Sequence, residues 1–177
     1  MNKIINLLKI KKLFIINCIL ILVLFAIDIY TKRLAFSYVR DIKLKTSGIH
    51  THIQVNSFLN IVQVINTGVS FGMFNSLEYG RYILSIITVI IVSIVSYLLW
   101  KENTKYTSIA YSFIIAGGLG NLYDRLTYGG VFDFLDFHIG EYHWPAFNIA
   151  DSLICIAVAM IVLEPLYKKI IDTIKKK

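Results

Sequence analysis

Four stretches of about 18 to 20 residues run almost without charge: 13–30, 82–100, 106–123 and 144–163. A helix needs about 20 mostly apolar residues to cross a bilayer, and backbone placed in hydrocarbon must satisfy its own hydrogen bonds. Only Asp28 and Asp151 interrupt these runs. The pattern predicts an α-helical integral membrane protein with four transmembrane helices, forming a single membrane-embedded domain over residues 1–177. Charged residues make up 16% of the chain, against about 25% in soluble domains.

The net charge of +7 does not point to nucleic acid, because the basic residues are placed for a membrane. Lys3, Lys9, Lys11 and Lys12 precede the first run, Lys101 and Lys105 separate the second from the third, and Lys168, Lys169, Lys175, Lys176 and Lys177 follow the fourth. With an even number of spans, all of these fall on one side. The positive-inside rule then predicts cytoplasmic termini. The N-terminus has the basic-then-apolar layout of a signal peptide, yet no small-x-small cleavage site follows, so an uncleaved first helix is expected. Cys18 and Cys155 fall inside predicted spans and read as buried, apolar thiols.

The segment after the first span, about residues 34–80, contains "HTHIQVNSFLNIVQVIN", rich in β-branched residues and partly alternating. Two or three short strands are expected there, ending at the Asn66-Thr67-Gly68 turn. They would form a small extracytoplasmic β-rich subdomain lying on the membrane against the helices. The second outer loop, about residues 125–143, carries "VFDFLDF" after the Gly129-Gly130 turn and reads as an amphipathic surface strand. Spans two and three are joined by about five residues, which predicts an antiparallel pair.

Ionisable groups at a membrane edge cost about 2.5–3.5 kcal/mol at a helix centre on insertion scales, so each needs a reason. Span three ends "AGGLGNLYDRL", where Gly117, Asn121 and Asp124 share a helical face and the glycines admit a close neighbour. Asp124 beside Arg125 reads as an ion couple. Span four opens "WPAFNIADS": Pro145 forces a turn, Asn148 is placed to cap the helix, and Asp151 lies in the first turn, where the helix dipole favours an anion. Taken singly, Asp151 reads equally as a capping acid. Asp133 and Asp151, however, fall on the same side in apolar settings. Two such carboxylates sharing a proton supply one base and one acid, enough to activate water against a peptide carbonyl. No metal or cofactor is required: His138, Glu141, His143 and Asp136 lack an HExxH arrangement, and "GGLGN" lies within a span rather than in a phosphate loop.

Five motifs in order resemble the lipoprotein signal peptidase (signal peptidase II) family, the bacterial membrane aspartyl proteases of lipoprotein maturation. They are "DIYTK" over Asp28, Thr31 and Lys32; "FLNI" followed by "NTGVSFG"; "GNLYDR"; "GGVFDF"; and "FNIADS". The resemblance implies an endopeptidase that removes signal peptides from diacylglyceryl-modified prolipoproteins, cutting before the lipidated cysteine. It implies catalytic Asp133 and Asp151, and supporting roles for Asn66, Gly68, Asn121, Arg125 and Asn148, with Asp28 and Asp124 structural. It also implies a bacterial cytoplasmic (inner) membrane location, an active site near the outer face, membrane lipid and lipidated precursors as partners, no cofactor, and a monomer. The chain departs from the family pattern at Ile65, Val69, Ser70 and Phe132, which bears on substrate preference. A proton-coupled transporter using Asp28, Asp124 and Asp151, or an inactive assembly factor, are the rival readings. Four spans without an inverted repeat are few for the former.

Overall fold

The computed structural model describes residues 2–45, 52–68 and 79–175. Helix α1 covers Asn2–Lys45 without an internal Gly or Pro. At about 1.5 Å per residue it is roughly 66 Å long, twice the ~30 Å hydrocarbon core. The expected outer loop therefore begins later than residue 34, because nothing in 34–45 breaks the helix. Helix α2 (Gly80–Lys101) and helix α3 (Lys105–Tyr128) are joined by three residues and pack against each other, as an antiparallel pair must. Helix α4 runs Ile149–Lys175. It begins five residues after the expected start at Trp144, since residues 144–148 are extended and bond to a strand instead.

Among the described residues, three helices are long and apolar enough to cross a membrane by length and composition: Lys11–Ile42, Gly80–Lys101 and Ile149–Ile174. The third expected span, α3, does not join them. Ser108, Ser112, Gly117, Gly118, Gly120, Asn121 and Asp124 lower its hydropathy, and all of these are buried. It is the central helix, packed by α1, α2 and α4. The other three present Leu22, Ile86 and Val162 outward, each at least 60% exposed. Inside lie Asn17, Asp28, Lys32, Ser112 and Asp124, all buried. Apolar residues outside and paired polar residues inside are the arrangement a hydrocarbon surround stabilises. Cys155 lies on this outer surface rather than in the buried position expected, whereas Cys18 is half-buried.

Strands β1 (His52–Asn56) and β2 (Leu59–Asn66) form the expected hairpin, ending at the Asn-Thr-Gly turn. Strand β3 (Val131–Ile139) comes from the second loop and pairs antiparallel with β2, and a two-residue strand β4 (Tyr142–His143) completes the order β1-β2-β3-β4. Strand β3 is therefore an inner strand and not the expected surface strand: Val131, Phe132, Asp133, Phe134 and Asp136 are buried. Gly129, in the left-handed conformation (φ 80°), ends α3 and turns the chain into it.

Candidate active site

Strand β3 is held on both sides, and this holding brings the two aspartates of interest to one place. On one side β2 lies opposite it in the register Val64↔Asp133 and Asn66↔Val131, with a bulge between Ile61 and Val64. On the other, the extended segment before α4 bonds to it through Leu135 N–H to Phe147 O (2.9 Å) and Phe147 N–H to Leu135 O (3.1 Å). Asn148, next in the chain, therefore begins α4 beside Asp133.

Asn148 is fully buried and its groups reach both carboxylates. Its Nδ2 donates to Asp133 Oδ1 (2.7 Å), while its backbone N–H donates to Asp151 Oδ2 (3.2 Å). In return Asp151 N–H donates to Asn148 Oδ1 (2.9 Å). The last two bonds are a reciprocal capping box on α4. The capping role for Asp151 and Asn148 read from the sequence is thus present, and it leaves Asp151 Oδ1 free to accept a bond from Asn121 Nδ2 at 2.8 Å. Asn148 Nδ2 also approaches Asn121 Oδ1 (3.3 Å). From the sheet, Asn66 Nδ2 donates to Asp133 Oδ2 (3.1 Å), with its own Oδ1 held by Gly68 N–H (3.1 Å).

Asp133 is 3% exposed. Burial raises its carboxyl most and the charge of Asp151 raises it further. The amide bonds from Asn66 and Asn148 and the charge of Lys32 act in the opposite direction, and the result is a group pushed up to about 6. A carboxyl with this value, sharing one polar cluster with a second carboxyl, can pass a proton near neutral pH.

The candidate residues thus converge: Asp133, Asp151, Asn66, Asn121 and Asn148 form one hydrogen-bonded cluster. Gly68 joins through Asn66, and Arg125 joins through Gly68, whose carbonyl accepts from Nη2 at 3.5 Å. Among the described residues Arg125 forms no close ion pair with Asp124, whose charge it still feels, because adjacent helical residues point about 100° apart. Asp124 instead pairs with Lys32 (3.0 Å) and accepts Phe132 N–H (3.2 Å). Lys32, 1% exposed, also pairs with Asp28 (2.8 Å) and donates to Asn121 Oδ1 (3.1 Å). Lys32 lies in the DIYTK motif, which by itself assigns it no role. The available signal was its position four residues after Asp28 in an apolar helix, where two opposite charges pair.

Asp136 belongs elsewhere. Asn60 Nδ2 donates to it (3.0 Å) and His143 Nδ1 lies 2.8 Å away. Burial would raise its carboxyl, but these two bonds and the charges of His143 and His138 outweigh burial and hold it below the usual range. No group of three or more His, Cys, Asp or Glu suited to a metal occurs among the described residues. Of the departures, Phe132 is sandwiched between Phe36 (centroids 4.5 Å apart) and Tyr128 (4.7 Å), filling space between α1 and the end of α3. Ile65 lies opposite it on β2, half exposed. Val69 and Ser70 lie outside the described residues.

Residues 20–167 match the family model of signal peptidase (SPase) II. The chain is 42% identical over 148 residues to a lipoprotein signal peptidase of Thermodesulfovibrio yellowstonii, covering 84% of this chain and 92% of that protein. It is 41% identical over 125 residues to the namesake in Anaplasma phagocytophilum (71% and 80% covered). The identity is 36% over 168 residues to the one in Francisella tularensis subsp. novicida (93% and 98%). A solved bacterial membrane enzyme superposes with a TM-score of 0.68 at 31% identity, covering 91% of each chain.

Proposed function

The chain belongs to the signal peptidase II family and is an integral membrane protease that removes signal peptides from prolipoproteins, and on that premise we propose that Asp133 and Asp151 are its catalytic pair. The reaction is an aspartic endopeptidase step. The ionised carboxylate takes a proton from water, whose oxygen attacks the scissile carbonyl, and the protonated carboxyl delivers its proton to the departing amide nitrogen. Neither metal nor cofactor enters. The observation that carries this reading is Asn148, whose side-chain and backbone N–H groups bond to the two carboxylates. The value of about 6 at Asp133 supports that group as the resting place of the shared proton.

The substrate is a diacylglyceryl-modified precursor cut just before its lipidated cysteine. Lys-rich ends place both termini in the cytoplasm, and α3 crosses as a fourth, inner span clothed by α1, α2 and α4. The cluster then lies near the outer face of the inner membrane, where a lipid anchor delivers its peptide. Asn66, Gly68, Asn121 and Arg125 hold the pair and the substrate main chain, and the protein acts as a monomer.

The test is cleavage of a lipidated prolipoprotein by the purified protein in detergent beside Asp133→Asn and Asp151→Asn. Release of the signal peptide by the wild type alone is expected. Full turnover by either variant, folded, refutes the pair.

A further inference from the structure

Resting on the catalytic pair proposed above, the hydrogen-bond pattern behind it carries one step more. Lys32 Nζ lies 2.8 Å from Asp28 Oδ2, 3.0 Å from Asp124 Oδ2 and 3.1 Å from Asn121 Oδ1. The ammonium donates a hydrogen bond to Asn121 and forms ion pairs with both carboxylates. Each partner in turn leads to a residue of the pair or to its chain neighbour. Asp28 Oδ1 accepts the N–H of Ala150, the residue before Asp151, at 2.9 Å. Asp124 Oδ2 accepts the N–H of Phe132, the residue before Asp133, at 3.2 Å. Asn121, with its Oδ1 turned to Lys32, has its Nδ2 left to hold Asp151 Oδ1 at 2.8 Å.

We propose that Lys32 is the positioning residue that sets Asp133 against Asp151. It ties the start of strand β3 and the first turn of helix α4 to one point on helix α1, and it fixes which way the Asn121 amide faces. Strand and helix are joined by residues 140–148, which bond back to the strand at Trp144 and Phe147, and Asn148 bridges from there to Asp133. Lys32 is the charged donor to Asn121 Oδ1, beside the longer contact from Asn148 Nδ2 at 3.3 Å, and it strengthens the orientation that turns Asn121 Nδ2 to Asp151. Lys32, 1% exposed, acts through its three partners. Its charge also lowers the Asp133 carboxyl against the two influences that raise it.

Lys32→Met alone leaves two buried carboxylates without their cation and is expected to unfold the protein. The informative protein is the double variant Asp28→Asn with Lys32→Met. It removes one charge of each sign, so Asp124 is the one buried carboxylate left without its cation and keeps the Phe132 N–H, and the introduced amide keeps an oxygen that accepts Ala150 N–H. Cleavage of a lipidated prolipoprotein is followed in detergent for wild type, double variant, Asp133→Asn and Asp151→Asn, with thermal melting of each. A misplacement of about 1 Å costs on the order of 100-fold in turnover. The double variant is therefore expected to melt cooperatively and keep KM within a few-fold, with kcat down about 100-fold. The pH profile of kcat/KM is expected to move to higher pH, because a cation near Asp133 is gone. A folded double variant with wild-type kcat overturns the assignment of Lys32, and so does one that changes KM and kcat together with an unmoved pH profile. A double variant that does not fold at all makes Lys32 a folding element and equally overturns it. Activity in Asp133→Asn or Asp151→Asn instead removes the catalytic pair itself, whichever way the lysine variant behaves.

Discussion

Replacing Asp133 by Asn tests the site through stability rather than turnover. In the folded protein its carboxyl is raised from 3.8 to about 6, chiefly by burial and then by Asp151. At about 1.4 kcal/mol per pH unit, ionising Asp133 in the folded state costs about 3 kcal/mol more than in the unfolded chain. The sign follows from linkage: a group whose folded value is raised is fully stabilising below 3.8, and that contribution is lost as pH climbs to about 6. Asn avoids this loss but has a cost of its own. Its NH2 faces either Asn66 Nδ2 or Asn148 Nδ2, both donors and both pinned through their own oxygens by Gly68 N–H and Asp151 N–H. One hydrogen bond is therefore lost, about 1 kcal/mol. The variant is expected to be more stable than wild type by about 2 kcal/mol at pH 8 and less stable by about 0.4 kcal/mol at pH 4, with the crossover in between. For a chain of this size 2 kcal/mol corresponds to a rise in Tm of roughly 4–8 °C. Melting in detergent, read by the emission of Trp100 and Trp144 across pH 4–8, gives the difference curve, in which titrations of groups that do not interact with Asp133 cancel. A flat difference, or a wild type more stable than the variant at pH 8, refutes the burial argument for Asp133.

Two other perturbations separate packing from chemistry. A Cβ at Gly117 would lie 2.5 Å from Ala150 O and 2.8 Å from Ile154 Cγ1, so Gly117→Ala is expected to push α4 from α3, shift Asp151 away from Asn121, and lower both Tm and turnover, the latter at least about tenfold; unchanged cleavage and melting would show that the helices do not approach this closely. Asp136→Asn keeps an oxygen for Asn60 and offers an NH2 to His143, so precursor cleavage is expected to stay within about threefold of wild type. Because Asp136 is held below the usual carboxylate range, its contribution to stability is present above that range and fades as pH falls through its lowered value. The variant's melting is accordingly expected to show less acid sensitivity than wild type, and a total loss of cleavage would mean that the wrong loop acid was chosen.

Much of the molecule is legible in the sequence alone. The charge-free runs set the helices α1, α2 and α4, because helix length in hydrocarbon is a one-dimensional property that hydropathy records directly. The β-branched run set β1 and β2, and Asn148 and Asp151 announced their own cap at a spacing of three residues. The rest is not legible, for physical reasons. Rising polarity over residues 34–45 suggests a loop, yet nothing in them stops a helix. The modest mean polarity of the third run shows a helix, but only packing shows its glycines, serines and Asn121 turned inward as the face the others wrap.

The sequence by itself determined that the chain is helical, built for a membrane, and supplied with carboxylates too costly to leave unpaired there. Composition and local periodicity carry that information, since each depends on neighbours within a few turns of chain. Only the tertiary structure decided which carboxylates meet. Asp124 chose Lys32 on α1 over the adjacent Arg125, and Asp136 was drawn to Asn60 and His143 across the sheet. Asp133 and Asp151 were brought onto one asparagine because the segment before α4 pairs with β3. Side-chain direction and strand register settle such partnerships, and neither is written in the spacing of residues along the chain.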